Sequence, residues 1–368
     1  MTQVSLVQVG IGTVGGEAIA QVLAQRERWR RTLGLDVRIG ALVVRNGALA
    51  AESAAGLPDD VLRSAVTGRR AGKSLDELTG ADLIPAPEAV LRLAAEGPTI
   101  VMDAGAGEQT AILDARALAA RTDVVLSNKA PLALPLSNPL AAALWDNAGP
   151  RGHLRYETTC GAGLPVISTL RTLLETGDEI IEIVGALSGT LGAIFSDVAA
   201  GQSFSAAVRS AKARGYTEPD PRDDLSGLDV ARKALILART IGRRANLDEI
   251  AVESLVPANL RDVSVETFLD RVVAGDASFA ERAAAARTNG ATLKYVATVT
   301  PDGPLAVGVQ AVPTSGVLGS LQGPENIVSI RTRRYDAYPL TIVGPGAGAA
   351  VTAAGMLGDA LALALRRR

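Results

Sequence analysis

Cysteine and histidine are almost missing from this chain. Cys160 and His153 are the single representatives of each among 368 residues. One cysteine excludes an internal disulfide framework and fits a reducing compartment. One histidine leaves neither an imidazole-based zinc site nor a Ser-His-Asp triad much to build on. Charge of one sign is also lacking: the formal net charge is −2, so there is no polyanion-binding surface and nucleic acid is not an expected partner. No uninterrupted apolar run reaches the roughly 20 residues that cross a bilayer. The N-terminus, MTQVSLVQVGIG, has no basic leader and runs into a glycine turn, so it reads as a strand and not a signal peptide. A protein with no membrane partner, located in the cytoplasm, is the expectation.

What is present is a long, well-patterned chain with 48% hydrophobic and 21% charged residues. That length exceeds one ordinary core and predicts at least two domains. Residues 4–9 read as a buried parallel strand that closes on Gly10. Helical spacing follows from Thr13 to Leu33, ending at Gly34. DVRIGALVVR, TIVMDAG (99–105) and DVVLSNK (123–129) read as further strands, with the helix EQTAILDARALAAR between the last two. Strand and helix alternating through short connections predict a doubly wound α/β sheet of Rossmann type. NAGP, after a helix over about 137–147, marks the boundary, giving a first domain over 1–150. Beyond it, strands near 291–300, 305–312 and 326–331 and helices near 163–176, 189–200, 204–214 and 225–241 predict an α+β domain with a mixed sheet over 151–340. The tail, 341–368, reads as a glycine turn and a small-residue helix returning to the first domain.

Gly10-Ile11-Gly12-Thr13-Val14-Gly15 fits a dinucleotide fingerprint placed after a strand and opening a helix. The first glycine permits the turn, the second admits the pyrophosphate and the third lets helix and strand pack; the helix N-terminus then faces the phosphates. The second strand ends in VVRNG, with Arg45 and no acid until Glu52, which favours NADP over NAD. Lys73 is a weaker second candidate for the 2′-phosphate. Lys129, in SNKAP at a strand end, faces the cofactor crevice and can hold a carbonyl oxygen or shuttle its proton.

The segment GYTEPDPRDDLSGLDVARK, 215–233, concentrates Glu218, Asp220, Asp223, Asp224 and Asp229 around two prolines. Prolines 219 and 221 argue against helix there, and Asp223 or Asp224 can cap a helix beginning near Leu225. Asp229 and Lys233 share its face at i, i+4. A cap, a surface pair and a solvated loop would account for some of these charges, but not for Tyr216, Glu218 and the second aspartate. Cys160, in ETTCGAGLP, reads as a packed residue, and His153 as structural.

AKARGYTEPDPRDDLSGLDVARK resembles the signature segment of the homoserine dehydrogenase family over its whole length. GIGTVG, SNKAP, ETTCGAGLP, LSGTLGAIF and GPGAGAAVTAAG follow in the family's order. The resemblance implies NAD(P)-dependent interconversion of L-homoserine and L-aspartate 4-semialdehyde, on the route to threonine and methionine. It implies proton transfer and substrate polarisation by Lys233 and Lys129, with Asp229 positioning the lysine. It also implies substrate contacts from Glu218, Asp224, Thr190 and Tyr216, and a cofactor contact from Gly348. A monovalent cation such as Na+ is implied near Glu157, Cys160, Ala162 and Leu164, and a homodimer is the expected assembly. The expected form is the short one, without an ACT or aspartate kinase domain. The chain departs from the family at MDAGAG, at Gly192-Ala193 and at Cys160, and the first two leave open another short amino alcohol or semialdehyde as substrate.

Overall fold

The N-terminal run forms strand β1 (Thr2–Val9), buried from Val4 to Val9. A central parallel strand is covered on both faces, so it takes a largely apolar run where a half-exposed strand would alternate. The structure, a computed structural model, describes residues 1–80 and 82–367. Its contacts divide the chain into two units, residues 1–163 with the segment from Gly348 onward, and Leu164–Ala347.

In the first unit β1 is followed by α1 (Thr13–Leu33), β2 (Leu35–Val44) and β3 (Gly47–Ala50). Then come α2 (Asp59–Arg70), α3 (Leu75–Thr79), α4 (Ala86–Glu96), β4 (Thr99–Asp103) and α5 (Ala111–Ala119). β5 (Asp123–Leu126), α6 (Pro139–Trp145) and β6 (Leu154–Arg155) complete the sheet, whose strand order is β3-β2-β1-β4-β5-β6. That is the order of dinucleotide-binding sheets, with the switch point beside β1. One departure is local. β3 is reached through the two-residue turn Arg45-Asn46 and pairs antiparallel with β2, whereas the other neighbours are parallel. A turn this short cannot make the crossover that a parallel partner needs.

The second unit contains α7 (Val166–Glu175), β7 (Ile180–Ala186), α8 (Gly189–Ala199), α9 (Phe204–Ala213), α10 (Pro221–Leu225) and α11 (Leu228–Thr240). β8 (Ala251–Val252), α12 (Val265–Arg271), α13 (Asp276–Thr288) and strands β9 (Ala291–Val299), β10 (Leu305–Pro313), β11 (Glu325–Thr332) and β12 (Leu340–Pro345) follow. Its sheet runs β12-β11-β7-β9-β10-β8, antiparallel except where β8 joins β10. Helices α8, α11 and α13 pack on it, and Phe195 of α8, Phe204 of α9 and Phe279 of α13 cluster together, the last two rings stacked at 4.1 Å.

The boundaries differ from those expected at 150 and 340; they fall at 163/164 and 347/348. NAGP turns the chain within the first unit, because β6 behind it still pairs with β5 and the following turn packs on the last helix. That helix, α14 (Ala349–Arg366), lies on α1 and puts Ala353, Met356, Leu357, Ala360 and Leu363 into one core with Val4, Leu6, Trp29 and Ile100. With 18 residues at a mean hydropathy of 1.4, α14 is long and apolar enough by composition to cross a bilayer. It stays short of the uninterrupted run of roughly 20 apolar residues named above, since it has 18 residues and includes Asp359 and Arg366. Its apolar side is the packing stripe on α1.

Candidate active site

Three glycines shape the turn between β1 and α1, each for a different reason. Gly10 has φ +77°, and a Cβ there would lie 2.7 Å from the carbonyl oxygen of Ala104. A Cβ on Gly15 would fall 1.9 Å from the Gly10 oxygen, so that position sets the helix against the turn. Around Gly12 there is open space out to 4 Å. Helix α1 has no side-chain cap and no acid in its first turn, which leaves its first N–H groups and partial positive charge to an anion. Ile11 is buried, Val14 half-buried and Thr13 exposed. These residues fit a dinucleotide pyrophosphate.

Arg45 is exposed in the β2–β3 turn, and no side-chain partner holds it among the described residues. Lys73 is exposed in the turn after α2. Gly348 is the N-cap of α14, with φ +133°, and accepts from the Thr352 N–H at 3.0 Å.

Lys129 is half-buried in the turn after β5. The backbone around it is held by Asp103, the last residue of β4. The Asp103 carboxylate accepts from the Gly105 N–H and the Thr110 hydroxyl, both at 2.7 Å, and more weakly from Asn128 Nδ2 at 3.4 Å. Asn128 also donates to the Gly107 carbonyl at 2.7 Å and to Thr110 Oγ1 at 3.0 Å, and its own oxygen accepts the Ala130 N–H at 3.1 Å. Lys129 thus lies between two tethered residues. Burial raises the Asp103 pKa, against the opposing pull of these donors. Sequence reasoning named Lys129 and missed Asp103, Thr110 and Asn128; the signal was an acid and an amide at adjacent strand ends.

The turn before the unit boundary is buried and irregular. The Glu157 N–H donates to Asp359 Oδ2 at 2.9 Å, Cys160 is wholly buried with the Thr159 hydroxyl 3.9 Å from its sulfur, and Ala162 has φ +52°. Leu164 opens the second unit. Among the described residues no group of three or more His, Cys, Asp or Glu side chains could hold a metal. His153 lies 2.7 Å from the buried Asp123, which also takes a bond from Arg367 at 2.6 Å.

In the second unit the charged segment folds differently from its expected form. Pro221 sits at the first position of α10, where a missing N–H costs nothing. The cap is Asp220, whose Oδ1 accepts from the Arg222 N–H at 3.0 Å; the Arg222 guanidinium lowers its pKa. Asp223 and Asp224 lie inside α10, not at a cap. Gly227, with φ +76°, breaks the chain before α11 begins at Leu228, and a Cβ there would fall 2.0 Å from the Tyr295 hydroxyl. Asp224, before this break, is half-buried.

Asp224 Oδ1 accepts from the Thr190 hydroxyl at 2.8 Å, and Oδ2 from the Glu218 N–H at 2.8 Å. Thr190, at the start of α8, also lies 2.6 Å from the Tyr216 carbonyl. A hydroxyl has one proton to donate, so these two oxygens share it. Burial raises the Asp224 pKa, and the charges of Glu218 and Asp229 add to that. Glu218 and Tyr216 are exposed. One helical turn along α11, Lys233 is 8% exposed; its amine donates to the Leu187 carbonyl at 2.6 Å and pairs with Asp229 Oδ2 at 2.8 Å. Hydrogen bonds thus join Thr190 and Asp224 to the backbone of Tyr216 and Glu218, and Asp224 feels the charge of Asp229, the partner of the buried Lys233 amine. The Leu187 carbonyl, in the turn between β7 and α8, was not predicted, since a backbone acceptor has no sequence signature.

The position of Gly192 also has a local reason. A Cβ there would lie 2.8 Å from the Gly323 carbonyl, so the loop before β11 approaches α8 backbone to backbone.

Comparison with known proteins gives a consistent outcome. Residues 165–361 match the model of the homoserine dehydrogenase family and residues 10–153 that of the homoserine dehydrogenase NAD-binding domain. The homoserine dehydrogenase of Schizosaccharomyces pombe is 34% identical over 97% of this chain and 94% of its own length. A bifunctional chloroplastic aspartokinase/homoserine dehydrogenase of Arabidopsis thaliana is 46% identical over 58% of this chain but 23% of its own length. This chain thus spans only a minor part of the bifunctional relatives it matches. Among solved structures, a Candida auris protein of unknown function superposes with a TM-score of 0.84 at 30% identity, covering 99% and 98% of the two chains. A hyperthermophilic archaeal homoserine dehydrogenase in complex with NADPH shares the fold at a TM-score of 0.72 and 22% identity, covering 99% of this chain and 98% of its own.

Proposed function

The chain belongs to the homoserine dehydrogenase family, and from that premise we propose that it interconverts L-homoserine and L-aspartate 4-semialdehyde with a nicotinamide cofactor. The observation that carries the reading is the buried Lys233 amine, fixed by Asp229 and the Leu187 carbonyl beside an acidic cluster. Homoserine is a zwitterion with an alcohol. Its ammonium suits Glu218 and Asp224, and its hydroxyl suits an amine that can move a proton.

When bound, the nicotinamide supplies a two-electron hydride acceptor. The chain's own residues do the rest. Oxidation breaks a C–H and an O–H bond of the alcohol, and in the reverse reduction the Lys233 amine is the group that gives the carbonyl oxygen its proton. Asp229 and the Leu187 carbonyl keep the amine from swinging to solvent. Lys129, in the tethered turn of the first unit, is the second amine that the family reading names. Gly12 and the uncapped start of α1 would hold the pyrophosphate, and Gly348 would contact the cofactor.

NADP is the favoured cofactor, supported by the exposed Arg45 and the absence of an acid between Val43 and Ala51. A charge-assisted bond to a 2′-phosphate contributes about 1.5–3 kcal/mol. Arg45→Ala should therefore weaken NADP binding by about 10- to 150-fold in fluorescence titration and leave NAD nearly unchanged. Equal losses for both would reassign Arg45.

A cation such as Na+ belongs to the same reading, supported by the left-handed Ala162 in a buried turn. A cytoplasmic homodimer is the proposed assembly, supported by the exposed Tyr335, Tyr338 and Val343 around edge strand β12. The decisive experiment is a spectrophotometric assay with L-homoserine and either cofactor. No reduction of either at high enzyme concentration would refute the proposed reaction.

A further inference from the structure

Helix α5 carries an acid that the proposed chemistry does not use. Asp114 is 0% exposed, and among the described residues no N–H or O–H group reaches either of its oxygens. The group that acts on it is the carboxyl of Asp103, also 0% exposed, at the end of the strand β4 on which α5 packs. Two carboxylates are both acceptors, and two buried acceptors in contact hold together only with a proton between them. Asp103 already accepts from Gly105 and Thr110, so the proton belongs on Asp114.

We infer that Asp114 is a positioning residue: it shares one buried proton with Asp103, and this acid–carboxylate pair fixes the turn that carries Lys129. The chain of contacts is continuous within the first unit. Asp114 supports Asp103; Asp103 holds Gly105 and Thr110; Thr110 and Asn128 bond each other; Asn128 fixes Ala130, the residue after Lys129. An unprotonated Asp114 would push against Asp103 and loosen both strand-end loops.

The surroundings leave the proton no competitor. Helix α5 packs on α4, α6, β4 and β5. Glu88, Arg92 and Glu96 of α4 and Asp123 of β5 do not act on Asp114, α6 has no ionisable side chain, and Asp103 at the end of β4 is the charge that does. Burial, then the Asp103 charge, pushes the Asp114 pKa well above the usual carboxylate range.

The inference rests on reading Lys129 as part of the active site, so its test includes readouts that need no activity. Wild type is compared with Asp114→Asn, which donates at every pH, and Asp114→Leu, of similar size with no donor. The native wild type keeps a proton that the unfolded chain releases above about pH 4, so its stability falls as pH rises from there to the folded pKa. Relative to Asp114→Asn, its folding equilibrium constant should fall by up to about 10-fold per pH unit across that window in urea unfolding. A pH-independent gap would refute the shared proton.

In steady-state kinetics Asp114→Leu should lose about 10-fold or more in kcat with KM nearly unchanged, and Asp114→Asn should restore it. The Ala130 amide should exchange faster in the Leu variant and not in the Asn variant. Normal kcat and normal exchange in a merely less stable Leu variant would reduce Asp114 to a structural role. If wild type fails to oxidise homoserine, the proposed reaction falls, while unfolding and exchange still decide Asp114.

Discussion

Two lysines of the second unit meet nearly the same burial and opposite company. Lys233 on α11 and Lys294 on β9 are 8% and 3% exposed, and each donates to a backbone carbonyl at 2.6 Å, Leu187 in one case and Leu321 in the other. Asp229 stands 2.8 Å from the first amine. No carboxylate pairs with the second among the described residues, and burial lowers its pKa. A carbonyl fixes an ammonium's position, but only a counter-charge offsets its desolvation. Lys233 thus has a charged partner beside the proposed substrate residues, whereas Lys294 ties the 313–323 loop to the sheet.

The sharpest way to break that comparison is to remove each amine. Lys233→Met should reduce kcat about 1000-fold or more, the scale of a lost proton-transfer group, with cofactor affinity unchanged. Turnover near the wild-type rate would take Lys233 out of the mechanism. Asp229→Asn should have a middling effect, giving Lys233 the surroundings of Lys294. We expect a fall in kcat of about 10- to 100-fold and a loss of about 1–2 kcal/mol in urea unfolding, below the usual figure for a buried pair because Asp229 is 43% exposed.

The smallest effect is expected at Lys294. Lys294→Met should leave kcat within about 2-fold, since the amine touches no proposed substrate residue. Its stability should change with pH in a defined direction. The folded pKa of Lys294 is lowered, so between that value and the unfolded one near 10.4 the unfolded chain binds more protons and wild-type stability rises with pH. The Met variant lacks this rise, and its Tm relative to wild type should fall by about 2–4 °C as pH increases from 7 to 10. A constant Tm difference would mean Lys294 titrates normally.

The same pair shows what was legible beforehand. The Asp229–Lys233 pair was readable from its i, i+4 spacing, while a role for Lys233 was implied only by the resemblance. Lys294 was not, since an alternating strand does not announce that a polar residue points inward. The parallel strands ending at Gly10 and Asp103 were visible as apolar runs. The β2–β3 hairpin was not, because Arg45-Asn46-Gly47 was read as a strand end. The split between α10 and α11 was also missed: Gly227 looks tolerable within a helix until the Tyr295 hydroxyl is seen occupying the space a side chain would need.

The placement of α14 governs the order in which the molecule can assemble. Most of the first unit precedes the second in sequence, yet Trp29, Val4 and Ile100 find their apolar cover in Met356, Leu357 and Leu363. During synthesis the ribosome delivers those partners only after all of Leu164–Ala347 has emerged. The second unit, continuous in sequence, can close its core first, while the earlier-made half waits with an uncovered groove. A chaperone that shields apolar surface would therefore find its longest-lived target along α1, until α14 is made.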